Sequence, residues 1–332
     1  MSKNIPTTDF QLSFLKKIRR LLDEGQFSST YKYALLIALA DLSVEFGQDT
    51  GDVLELPLQD IAKKFIDQYW SHSRPYRGKT IYQNNGKQAE IIQTTNFHFP
   101  NMDHAIVTKV ANTVKKMPLW RLQLIHGEMD IFLYEHTENE RGIKLLPGVM
   151  FCLRKFHGII VSMVRGEWIM CVRSFKNNTG ILGHDQIQEF LFGSERVCLK
   201  PYVPLLEDLQ KRECFYCGRG IRGNPEVDHF IPWSRYPHDL GHNFVLAHKS
   251  CNGSKRDMLA SVEHLENWSE RNRTFGIQMV DYFSENNLHH DLESSVAVTK
   301  WAYSQAVDTE SHLWVESKNL AEASSAWEAV LR

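Results

Sequence analysis

Cys214 and Cys217 are separated by two residues, and His248 and Cys251, about thirty residues on, repeat the same gap. A two-residue gap lets a tight turn present both side chains to one ion. Three sulfurs and one imidazole form the soft tetrahedral donor set that suits Zn2+. Two matching halves in a chain with six cysteines favour a zinc site over unpaired thiols beside a surface histidine. The fourth position is the least constrained, since His242 or His238 could stand in for His248.

Between the two halves lie residues that a zinc knuckle does not need. Asp228-His229 follows a valine and precedes Phe230-Ile231-Pro232, which reads as a strand end entering a loop. Asn243 comes fourteen residues after His229, Asn252 directly follows the last cysteine, and Lys255 and Arg256 come one turn later. Hydrolysis of a phosphodiester needs a base for water, a cation at the leaving oxygen and contacts that hold the phosphate. An imidazole suits the first task. A carboxylate and an amide carbonyl suit a hard cation such as Mg2+. Adjacent residues on an extended segment point to opposite faces, so of Asp228 and His229 one can hold metal while the other reaches the nucleophile.

With these motifs, residues 211 to 270, about a fifth of the chain, resemble the HNH endonucleases, the ββα-metal nucleases. The shared features are the spaced Cys pairs, the D-H-x-x-P step, the mid-loop Asn and the closing C-N-x-x-K. The resemblance implies that His229 is the general base and that Asp228 and Asn252 hold the catalytic divalent ion. It further implies that Asn243 fixes the loop carrying the base, and that Cys214, Cys217, His248 and Cys251 bind a structural zinc. Two departures stand out. His248 occupies a knuckle position where Cys is usual, and Asn252 replaces the family's final His, as it does in the HNH domain of CRISPR RNA-guided nucleases. Asn252 can also cap the helix starting near Gly253. Lys255 and Arg256 at a helix start oppose its dipole, which an anionic ligand such as phosphate would explain.

The elements that must position these residues follow from periodicity. Thr8 or Asp9 can cap a helix with apolar positions Phe10, Phe14, Leu15, Ile18, Leu21 and Leu22, stopped by Gly25. Tyr31 to Phe46 is apolar nearly all round and reads as a core helix. A short strand at Val53 to Leu56 precedes a helix near Asp60 to Trp70. This set forms either a helical bundle or a helix-turn-helix-like module. Residues 71 to 104 read as a polar connection or a nucleic-acid-contacting loop. A helix is expected from His104 to Lys116, with strands at Asp130 to Glu135 and Ile143 to Leu146 around the turn Thr137 to Gly142. Ile159 to Val164 and Glu167 to Val172 flank Arg165-Gly166 as a β-hairpin. Further helices are expected at Leu205 to Arg212, Arg256 to Arg273 and Ala321 to Leu331, with Trp301, Trp314 and Trp327 docking on a core. The expected class is α+β. It comprises a helical N-terminal region (1–100), a mixed α/β region (101–204), the HNH domain (205–273) and a C-terminal helical region (274–332).

Composition sets the outer bounds. The 332 residues are 42% hydrophobic and 23% charged, which excludes wholesale disorder. A formal net charge of −2 excludes a uniformly basic coat protein. Lys211 to Asp257 nevertheless carries eight Lys and Arg against five acidic residues, a net +3. Six cysteines are too sparse for a disulfide scaffold, and Cys152, Cys171 and Cys198 read as inert thiols. No apolar run approaches the length of a membrane span, so the expectation is a cytoplasmic protein with reduced thiols.

The residues and the resemblance together lead to the expectation of a metal-dependent HNH endonuclease acting on DNA. Lys255 or Arg256 would contact phosphate, and the flanking regions would supply recognition, oligomerisation or a partner-subunit contact. That arrangement resembles restriction and phage-defence nucleases. The alternatives are an RNA-cutting nuclease, a zinc-stabilised nucleic-acid-binding module without cleavage, and a zinc clip in a protein assembly.

Overall fold

The computed structural model describes residues 4–85, 91, 104–135, 141–181, 187–193 and 199–332. Cys198, much of the 71–104 connection and most of the Thr137–Gly142 turn lie outside them. The chain divides into two compact units, Met1–Glu195 and Arg196–Arg332.

The first unit is built on helices α1 (Thr8–Glu24), α2 (Tyr31–Phe46) and α3 (Leu58–His72), with strand β1 (Leu54–Pro57) between the last two. Thr7 caps α1, one residue before the expected position, by accepting from Phe10 N at 3.3 Å, and Gly25 ends it. Helix α2 is buried on all sides, as its apolar run demands. Its interior acids are each paired: Asp41 with His157 at 2.7 Å, and Glu45 with Lys64 at 2.7 Å. Helix α4 (His104–Lys116) follows, then strands β2 (Tyr134–Glu135) and β3 (Gly142–Leu145). Strand β3 lies between β1 and β2, antiparallel to both, with Leu56 opposite Ile143.

Helices α5 (Val149–Lys155) and α6 (His157–Ser174) complete the core, with α7 (Ile187–Phe192) beside them. The expected β-hairpin at 159–172 is therefore wrong. The segment is one continuous helix whose buried positions, His157, Ile160, Val161, Val164, Trp168 and Val172, recur at helical spacing. Arg165-Gly166 makes no turn, because both residues continue the helix. Cys152 and Cys171 lie on these two helices rather than on strands. Cys152 is fully buried, and burial pushes its thiol up to about 12.

The second unit carries the knuckle. Helix α8 (Val203–Leu209) leads to a turn containing Cys214 and Cys217, then to strand β4 (Glu226–His229). Strand β5 (Phe244–Ala247) pairs antiparallel with β4, Asp228 opposite Val245 and His229 opposite Phe244. Helix α9 (Lys249–Lys255) follows directly, so the order is β, β, α. Two long helices, α10 (Val262–Glu285) and α11 (Leu292–Asp308), support this core. Phe230 stacks on Trp268 of α10 at 5.4 Å. The His242 carbonyl, just before β5, accepts from Trp268, Arg271 and Asn272 of the same helix.

Of the expected helix at Ala321–Leu331 only Trp327–Val330 is helical; Ala321 and Glu322 end a β-hairpin, β6 (His312–Glu316) with β7 (Asn319–Glu322), and a turn follows. Trp314 of β6 fixes the hairpin. Its N–H donates to the Leu259 carbonyl and its carbonyl accepts from Ser261 N, both at 2.7 Å. No helix among the described residues is long and apolar enough to cross a membrane.

Candidate functional site

The knuckle turn is held by its own backbone. Gly218 N donates to the Cys214 carbonyl at 2.9 Å, and Gly218 has φ +66°, a left-handed conformation that glycine adopts without strain. Cys214, Cys217, His248 and Cys251 come together so that their ligand atoms all lie within 4.8 Å of one another. His248 Nδ1 faces the Cys217 sulfur at 3.3 Å, while its Nε2 lies 3.4 Å from the Gly220 carbonyl. A carbonyl only accepts, so the proton sits on Nε2 and the Nδ1 lone pair faces the sulfurs, the arrangement a metal-binding imidazole takes. His242 lies elsewhere, buried against Phe283, with Nε2 on the Gly276 carbonyl. His238 lies against Tyr236. Burial, then the neighbouring Cys214 and Cys217, pushes the Cys251 thiol up to about 12. Three sulfurs and an imidazole gathered this closely form a donor set that fits a metal such as zinc.

Strand β4 alternates its side chains as a strand must. Glu226 and Asp228 face α9. Asn252 Nδ2 donates to Glu226 Oε2 at 3.0 Å, which leaves its amide oxygen with no donor among the described residues. Asp228 Oδ2 accepts from the Tyr216 hydroxyl at 2.5 Å and from the Lys255 ammonium at 3.0 Å. Lys255 also donates to the His229 carbonyl at 3.0 Å. Burial pushes the Lys255 pKa down and Asp228 partly offsets this. Burial, then the Asp228 charge, pushes the Tyr216 pKa well above its usual value, so the phenol remains a donor.

Lys255 is thus placed differently from its expected contact with phosphate. Its ammonium is fully buried and ties α9 to β4. Arg256 is exposed, with φ +51°. The oxygen donors on this face, two carboxylates and an amide, are of the type a hard divalent cation takes. An ion there would share Asp228 with Lys255.

His229 points the other way. Its Nε2 lies 2.7 Å from Asp239 Oδ1, and the ring packs edge-on against Phe244 at 4.8 Å and Trp233 at 5.4 Å. Asn243 bonds both polar atoms of Ile231, accepting from its N–H at 2.7 Å and donating to its carbonyl at 3.0 Å. The loop after His229 is thereby clamped at its root. Asp239 had no sequence signal beyond being an acid ten residues past the base.

Beside the knuckle is an open cleft of about 1220 Å3, lined on one side by Lys211, Arg212, Arg219 and Arg222 and on the other by β6 and its turn. Lys211, Arg219 and Arg222 are exposed and pair with no carboxylate among the described residues. Trp314 forms part of the far wall, stacking on His264 at 5.5 Å and donating to Ser254 Oγ of α9 at 3.1 Å.

The knuckle of three Cys and one His, the paired strands and the helix closing on them form a ββα segment beside a cluster that could hold a metal. Residues 214–261 match the HNH endonuclease family model. The HNH match thus spans the knuckle, the His229 loop and α9. Residues 11–104 match a separate model, described as a domain of unknown function (DUF8808). No curated protein and no solved structure matches the chain. An HNH nuclease segment implies a nucleic-acid substrate.

Proposed function

We propose that this protein is a metal-dependent endonuclease that hydrolyses phosphodiester bonds in DNA. The observation that carries the reading is the position of His229. It sits at the end of β4, on the opposite face from Glu226, Asp228 and Asn252, inside the segment that matches the HNH endonucleases. In this reading His229 takes a proton from water as the water oxygen bonds to phosphorus and the bond to the 3′ oxygen breaks. Asp228 and Asn252 would hold Mg2+ or a similar ion, whose chemistry there is to stabilise charge on that leaving oxygen. Asn243 holds the loop that carries the base. Zinc on Cys214, Cys217, His248 and Cys251 would be structural, all four positions being filled by protein. Arg256 and the basic wall of the knuckle cleft supply phosphate contacts. The first unit would supply target recognition or control, as in restriction and phage-defence systems.

One observation favours a second reading, a zinc-stabilised binding module without cleavage. Asp228 already has an ammonium and a phenol as partners, so its charge is balanced without a divalent ion. A plasmid-nicking assay with Mg2+ separates the two. Cleavage by the wild type that disappears in His229→Ala supports the nuclease. Equal activity in both, or binding without cutting in either, overturns it. Matched single-stranded DNA and RNA oligonucleotides in the same assay identify the substrate.

A further inference from the structure

We infer that Asp239 is the positioning residue of His229, fixing which ring nitrogen carries the proton and which one is offered to the nucleophile. The inference rests on the reading of His229 as the base and assigns a role to a residue outside the motif.

The geometry is specific. Asp239 Oδ1 meets His229 Nε2 at 2.7 Å, with side-chain exposures of 13% and 17%. Water therefore competes weakly for this bond. An ionised carboxylate only accepts hydrogen bonds, so the proton must lie on Nε2, and Nδ1 is left with its lone pair. Phe244 and Trp233 limit tilting of the ring from two sides. One nitrogen is tethered, and the other is presented in a fixed direction.

Asp239 is itself held from outside the matched segment. The His289 ring, which follows α10, donates from Nδ1 to the Asp239 carbonyl. The His289 carbonyl in turn accepts from Gly241 N at 3.1 Å and from the Tyr202 hydroxyl at 3.0 Å. Gly241 has to be glycine for this contact, because a Cβ there would lie 2.7 Å from the Phe283 ring and 3.0 Å from the His289 carbonyl. Residues before and after the nuclease segment thus hold the carboxylate that orients its base. A carboxylate with a purely solubilising role would not be tethered through its backbone and aimed at an imidazole.

The test uses full-length protein labelled with 15N-histidine, in buffer alkaline enough that the ring is neutral. Long-range proton–nitrogen correlation spectra distinguish a protonated ring nitrogen from an unprotonated one, and His229→Ala assigns the signal. The wild type is expected to show a single His229 tautomer with the proton on Nε2. Asp239→Ala is expected to show a mixture, and Asp239→Asn a mixture or the reverse tautomer, because an amide can also donate. In the nicking assay both variants should lower kcat by about 100- to 10,000-fold with KM nearly unchanged, the range that a positioned base contributes. Asp239→Glu should recover part of it. An unchanged single tautomer in both folded variants, with kcat within about twofold of wild type, overturns the inference. A tautomer that depends on Asp239 in a protein that cuts nothing keeps the pairing and overturns the nuclease reading instead.

Discussion

Lys255 on α9 sets its ammonium 3.0 Å from Asp228 Oδ2 on β4, with side-chain exposures of 0% and 11%. A motif lysine that reads in sequence as a phosphate contact is therefore an internal cation. It ties the helix of the ββα unit to its first strand, and the Tyr216 hydroxyl donates to the same carboxylate oxygen.

Removing one member of this pair leaves the other charged and unmatched in the interior. Lys255→Met is expected to lower the stability of the second unit by about 3–5 kcal/mol, seen as an earlier denaturant midpoint. Adding Asp228→Asn to that variant should restore much of the loss, because the stranded charge is gone. A double variant no more stable than Lys255→Met would show that the ion pair is not what the lysine supplies.

The knuckle makes a metal prediction. Elemental analysis should find one zinc per chain in the wild type and much less in Cys217→Ser or His248→Ala, whereas His248→Cys should retain it. Loss of the ion should cost at least about 3 kcal/mol, roughly a 6 °C or larger fall in Tm. Equal zinc in His248→Ala and wild type would remove His248 from the ligand set.

Burial holds His242 down to about 4, against 6.5 for a free imidazole. The folded state keeps this ring neutral where the unfolded chain would protonate it. Its contribution is therefore fully present above about pH 6.5 and lost as pH falls towards 4. Between pH 7 and pH 5 the second unit should lose on the order of 2 kcal/mol from this group. His242→Gln, which can still donate to the Gly276 carbonyl, should flatten that slope in denaturant titrations at the two pH values. His72 is held down to about 4 in the same way, so the first unit should weaken over the same range.

The basic wall of the cleft predicts a salt effect. Arg219→Ala with Arg222→Ala, made in a His229→Ala background so that substrate survives, should weaken nucleic-acid binding at low salt. The slope of log K against log salt should fall by about 2. An unchanged slope would place the substrate on another face.

The parts of this molecule legible in sequence are those where spacing is itself the physics. The two-residue gaps of the knuckle, the apolar run of Tyr31–Phe46 and the helix His104–Lys116 need no tertiary information, and each lies where its pattern puts it. The pattern misled where a helix and a strand share a composition. Ile159–Val172 is β-branched and apolar enough for two strands, and only its burial on α6 reveals the period. The C-terminal hairpin is hidden because its strands are short and bury only Leu313 and Trp314, too few positions to show a period of two. Asp239 was illegible because loop geometry, not periodicity, brings it to His229. The burial of Lys255 was equally hidden, since nothing in C-N-x-x-K says on which side of the helix its charge is neutralised.

Trp314 closes over the helix of the nuclease segment through Ser254, sixty residues earlier in the chain. Ser254 therefore leaves the ribosome well before the strand that anchors to it. For that interval the nascent segment lacks one wall of the cleft beside the knuckle. The cleft beside the knuckle is thus completed only once elongation has passed Ser317, the last residue that lines it.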